Sequence, residues 1–106
     1  MELEVYWTTF AIDKLNLIND YYQLKAGEKI ARTLIRGIIN ESIKLEKNPR
    51  IGQKEELLIE RPEEFRYLIY KKYKIIYVIN STKHRIDIVN VFDTRQNPVN
   101  IKSDIK

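Results

Sequence analysis

Cations and phenols crowd one stretch of this chain. Between Phe65 and Ile79 the sequence reads FRYLIYKKYKIIYVI, with Arg66, Lys71, Lys72 and Lys74 set among Tyr67, Tyr70, Tyr73 and Tyr77. Such a mixture suits a basic catalytic surface, a docking surface for a partner, or two strands of an ordinary sheet. The tyrosines read chiefly as strand packing, with those facing outward available as a binding platform. Arg95 stands beyond the next run of β-favouring residues. Its rigid fork suits a carboxylate or phosphate ligand, and equally a structural ion pair with Asp93 or a helix carboxylate. His84 is the one side chain that titrates near neutrality without help, but it falls in a turn and far in sequence from Arg95. Glu55-Glu56 and Glu63-Glu64 read as solvated charge, because adjacent carboxylates in a strand or loop do not converge on one substrate.

Composition removes whole classes of chemistry. At 106 residues the chain is about one domain long, and 43% apolar content with three glycines and three prolines marks a folded protein. With no cysteine and a single histidine, disulfides, thiolate catalysis and His-rich metal clusters are excluded, so no metal and no cofactor are expected. The start, MELEVYW, lacks the basic and apolar regions of a signal peptide, and no apolar run reaches the length of a membrane span. A cytoplasmic protein without a membrane partner is expected. The net charge of +4 is compatible with nucleic acid or an acidic protein as partner, and equally with neither.

The elements that must position these side chains follow from periodicity. Leu3 to Trp7 alternates as a strand. Thr8 and Thr9 offer a helix N-cap, with Asp13 expected in the first turn. Ala11, Leu15, Ile18 and Tyr22 form the apolar stripe of a first helix, which Phe10, Leu17, Tyr21 and Leu24 widen. A break at Gly27 returns a second helix antiparallel to the first, running to about Glu46 before Asn48-Pro49. Its buried stripe is Ile30, Leu34, Ile38 and Leu45, widened by Ala31, Ile35 and Ile39. Its outer row of Lys29, Arg32, Arg36 and Lys47 reads as a solvated face or a contact surface.

A polar connection follows, with a short extended piece at Leu57 to Ile59. Phe65 to Tyr70 and Tyr73 to Ile79 then read as a hairpin turning at Lys71-Lys72, and Arg85 to Phe92 as the next strand. The predicted fold is α+β, in the order β-α-α-β-β-β, with a helical hairpin packed on one face of a small antiparallel sheet and the other face left open for function. Residues 1–95 form the single domain and 96–106 an irregular tail, whose Val99, Ile101 and Ile105 are placed to dock on the domain or on a partner.

This order, with VYWTTFAIDKLNLINDYY, FRYLIYKKYKIIYVI and IDIVNVFDTRQNP in sequence, resembles the RelE/ParE superfamily of toxins from bacterial type II toxin–antitoxin systems. The resemblance covers nearly the whole chain and implies two possible activities. RelE-like members cut mRNA in the ribosomal A site without a metal. On that pattern Arg66, Lys74 and Arg95 are the phosphate-binding cations, but Leu68 replaces a lysine, and no aromatic or histidine follows Phe92 to act as acid or base. ParE-like members inhibit DNA gyrase by binding, and VFDTRQ resembles their last strand, with Asp93 in place of a histidine. The ParE-like reading is therefore preferred, and it makes the chain a gyrase inhibitor and not an enzyme. It implies Arg66, Lys71, Lys72, Lys74 and Arg95 for target binding, Lys29, Arg32 and Arg36 for the antitoxin, and a hetero-oligomer with that cognate antitoxin. The alternatives are a ribosome- and mRNA-directed endoribonuclease and a non-toxic interaction module of the same fold.

Overall fold

The computed structural model describes residues 2–104. Strand β1 (Glu4–Trp7) ends at Thr8, whose hydroxyl accepts from the Ala11 amide at 3.3 Å and donates to the Ile88 carbonyl at 2.8 Å. One residue thus caps α1 (Thr9–Ala26) and ties it to the sheet. Asp13 lies beyond the first turn, which holds no acid. Gly27, at φ +96°, ends α1 and opens α2 (Glu28–Ile43), a backbone setting that favours glycine. A 3₁₀ turn at Lys44–Glu46 follows α2. No helix among the described residues is long and apolar enough to cross a membrane.

The helix stripes are narrower than their sequence suggests. Ala11, Leu15, Ala31, Leu34, Ile38 and Leu45 are buried, but Ile30, expected in the buried stripe of α2, and Phe10, Leu17, Tyr21, Leu24 and Ile39, expected to widen the stripes, are exposed. The helical layer is only two helices wide. Each helix has the sheet beneath it and a partner on one side, and among the described residues no third helix of this layer covers its other flank.

The sheet has five strands in the order β1-β5-β4-β3-β2, with β2 at Gln53–Lys54, β3 at Phe65–Tyr70, β4 at Tyr73–Asn80 and β5 at Arg85–Asp93. It is mixed and not wholly antiparallel as expected, because β1 runs parallel to β5. Alternation dictates which side chains face the core in either direction, so it cannot reveal strand direction. The extended piece expected at Leu57 to Ile59 is replaced by β2 and by a 3₁₀ turn at Glu56–Leu58. Between β4 and β5 the pairing steps from Ile76 with Asn90 to Tyr77 with Ile88, leaving Val89 as the extra residue. Ile88 and Val91 can therefore join the same core although three residues apart.

The face turned from the helices, expected to be open, is partly covered. Leu58, Phe65, Ile76 and Phe92 form a second buried cluster with Ile101 of α3 (Asn100–Asp104), a short helix within the stretch expected to be irregular. Among the described residues no strand lies beside the outer edge of β5 beyond Ile88. There Lys14 reaches from α1 to Asn90 at 3.0 Å and Asp104 at 3.4 Å, while the Asn90 amide donates to Asp104 at 3.2 Å. Val99 is exposed, and Ile105 lies outside the described residues.

Candidate functional site

The three cations that the nuclease pattern would gather do not converge. Arg66 pairs across the strands with Tyr77, a residue of the core beneath the helices. Its guanidinium donates to the Gly52 carbonyl at 2.7 Å and binds the Glu64 carboxylate, leaving its side chain 14% exposed. Lys74 pairs with Ile69 and Phe92, and so faces the second cluster on the other side of the sheet. Its ammonium meets Glu55 at 3.0 Å and lies 4.2 Å from the centre of the Tyr67 ring. Glu55 is thus a buried, paired carboxylate and not the solvated charge expected; it also caps the Glu56–Leu58 turn through the Leu57 amide. Arg95 follows β5 and forms a two-point bond with Asp93, at 3.1 and 2.9 Å.

These pairings leave an electrostatic mark. Arg66, and then Arg50, hold the Glu64 carboxyl below the ordinary carboxylate value, and Arg95 does the same for Asp93. His84 is an exposed turn residue with φ +52°.

A different set meets at the tip of the β3–β4 hairpin. Lys71 turns the chain there with φ +53°, without the glycine or asparagine such turns prefer. The Lys72 ammonium lies 5.0 Å from the centre of the Tyr22 ring and 5.8 Å from that of Tyr73. Its hydrogen bond pulls the Tyr22 hydroxyl below the ordinary tyrosine value, while burial, and then Tyr22, push Tyr73 above it. Tyr22 was legible only as a stripe residue of α1. Nothing in helical spacing shows that its hydroxyl emerges at a hairpin tip formed much later in the chain.

Two grooves flank Tyr73. One, of about 630 Å³, runs between the start of α2 and the hairpin tip and is edged by Lys29, Lys71 and Lys72. The other, of about 320 Å³, lies between α1 and the end of β5, with Leu17, Tyr21 and Arg95 on its walls. Arg32 and Arg36 are elsewhere, along a groove between the two helices, and Arg32 is paired with Glu28 at 2.6 Å. The proposed antitoxin set is therefore divided, with Lys29 joining the hairpin lysines. Along both grooves half-exposed apolar side chains are edged by cations.

Comparison with known proteins agrees with this architecture. The solved structures include a chain described as belonging to the chromosomal ParDE toxin–antitoxin system from P. aeruginosa, which superposes with a TM-score of 0.72 at 19% identity, covering 87% of this chain and 96% of that one. At that identity the likeness concerns the fold. No curated protein gives a significant match. The family model described as "ParE toxin of type II toxin-antitoxin system, parDE" matches residues 5–98, from the middle of β1 to just before α3. The chain belongs to the ParE toxin family of type II toxin–antitoxin systems.

Proposed function

We propose that this protein is a cytoplasmic toxin that inhibits DNA gyrase by binding it, and that a cognate antitoxin neutralises it in a hetero-oligomer. The observation that carries this reading is the dispersal of the basic trio. Metal-free cleavage of RNA needs cations gathered on one phosphate beside a group that takes the 2′-hydroxyl proton. Here Arg66 and Lys74 serve opposite faces of the sheet, each tied to a carboxylate. Binding needs no such convergence. Lys71, Lys72 and Arg95, with the exposed Leu17 and Tyr21, supply a mixed apolar and basic surface at one end of the molecule. Arg66 and Lys74 are engaged instead by Glu64 and Glu55, and Lys29, Arg32 and Arg36 are left for the antitoxin.

One observation favours the nuclease alternative. The Tyr22 hydroxyl, lowered by Lys72 and influenced by Arg95, is a candidate proton acceptor supplied by α1 instead of the tail. Pulse-labelling of DNA and protein synthesis after controlled induction in a bacterial host separates the two. Gyrase inhibition predicts that DNA synthesis fails first, whereas an early stop in protein synthesis identifies the endoribonuclease. Unchanged growth with a folded protein identifies a non-toxic module.

A further inference from the structure

Lys14 stands at a junction. It lines the groove between α1 and the end of β5, and it is also the point at which the last helix, α3, is tied down. Its ammonium is held independently of that tie, by the Asn90 side-chain oxygen at 3.0 Å, the Val91 carbonyl at 3.5 Å, and the rings of Phe10 and Phe92 at 5.4 and 5.9 Å. The lysine is therefore placed by α1 and β5 alone. Asp104 of α3, at 3.4 Å, adds a countercharge without adding a position. The helix that carries Asp104 is lightly fastened. From Thr94 to Asp104 a single residue, Ile101, is buried. Among the described residues the polar bonds from α3 to the sheet and to α1 are those of Asp104 to Asn90 and Lys14. Both partners of the ion pair are about one-quarter exposed, at 24% and 26%, a setting in which such a pair holds weakly. An element with so few buried contacts opens locally while the rest of the chain stays folded.

Resting on the gyrase-binding reading above, we propose that α3 is an autoinhibitory latch: docked, its Asp104 neutralises Lys14, and undocked, it frees that ammonium to take a carboxylate of the target in the groove beside Arg95. The two cations of the groove are masked in different ways. Arg95 is capped by Asp93, two residues away in the chain and part of β5, whereas Lys14 is capped from a segment that can leave. Because Asn90 and the two rings keep Lys14 in place, losing Asp104 changes the charge of the groove and not its shape. A target that gains a cation only in the undocked state shifts the chain toward that state. When no target holds the groove, the apolar cluster of Phe65, Ile76 and Phe92 draws Ile101 back and the latch recloses.

Two measurements on the full-length chain test this. The sequence has no cysteine, so Ile101→Cys carries one reporter thiol. In the native protein it should react with a soluble disulfide reagent about tenfold or more faster than a thiol placed in the main core by Ile75→Cys, and adding Asp104→Asn should quicken it further. Equal rates at the two positions, set by global unfolding, overturn the latch whether or not the chain acts on gyrase. In supercoiling assays with purified gyrase, Asp104→Asn should inhibit at about threefold lower concentration than the unaltered chain, with Glu60→Gln as a charge-matched control that matches the unaltered chain. In a Lys14→Met background the gain from Asp104→Asn should vanish. A gain that persists without Lys14, or an Asp104→Asn variant no more potent than the control, overturns the masking of Lys14 and leaves the toxin reading intact. A weaker Asp104→Asn variant with an unchanged melting temperature makes α3 a support for the groove, and also overturns the proposal. If the unaltered chain leaves gyrase working, the target reading falls and takes autoinhibition with it, while the labelling rates still decide whether α3 opens.

Discussion

Arg66 holds connections together. It bridges the Gly52 carbonyl, the Arg50 carbonyl and the Glu64 carboxylate, linking the segment around β2 to the start of β3. Replacing it with alanine leaves those acceptors without their donor, and should cost about 1–3 kcal/mol in urea denaturation. The same change alters the acid limb of stability. Because Arg66 lowers Glu64 in the folded state, the unfolded chain binds more protons in the window below the ordinary glutamate value of 4.5. This stabilisation is complete above that window and is lost as pH falls through the folded value. In Arg66→Ala the acid limb should flatten, and an unchanged limb would contradict the pairing. Tyr22 gives a second test at this scale. In an absorbance titration it should ionise before an ordinary tyrosine and Tyr73 after one, and Lys72→Met should abolish the early step. The sequence showed where the cations and phenols lie along the chain. It did not show that Arg66 and Lys74 would face opposite ways, or that Glu55 would be buried, since those depend on cross-strand register and on a loop without periodicity.

Close approach of elements explains Gly37. A Cβ at this position of α2 would lie 2.0 Å from the Tyr70 hydroxyl oxygen and 2.3 Å from the ring carbon bearing it, so the helix rests on the hairpin through a glycine. Gly37→Ala gains about 1 kcal/mol of helix propensity. It should nevertheless destabilise the protein by about 1–3 kcal/mol through overpacking, measured by thermal unfolding. Tyr70→Leu in the same chain should restore much of the loss. If Gly37→Ala stabilises the protein, the two elements do not meet this closely. The long elements were legible because their apolar residues recur with the helical or strand period, and Gly27 marked the break between the helices. Strand β2 was hidden because two residues carry no period. The exposed flank of α1 was misread because Phe10, Leu17, Tyr21 and Leu24 have helical spacing, yet only the number of neighbouring helices decides whether such a flank is buried.

Seen whole, the molecule has a sheet covered on one face by α1 and α2 and partly on the other by α3 and the turn at Glu56–Leu58. The proline and polar residues of the tail concealed α3, although Ile101, one of the residues expected to dock on the domain or on a partner, is its buried anchor among Phe65, Ile76 and Phe92 of three different strands. With one face covered and the other partly so, exposed apolar side chains and cations meet at the hairpin tip and the flank of α1. The most direct measurement is supercoiling by purified gyrase in the presence of the purified chain, run beside an assay for cleavage of ribosome-bound mRNA. Gyrase should be inhibited in proportion to added protein and rescued by the antitoxin, with the mRNA left intact. Unimpeded supercoiling together with cut mRNA would contradict the docking mechanism and return the activity to Tyr22 and the cations around it.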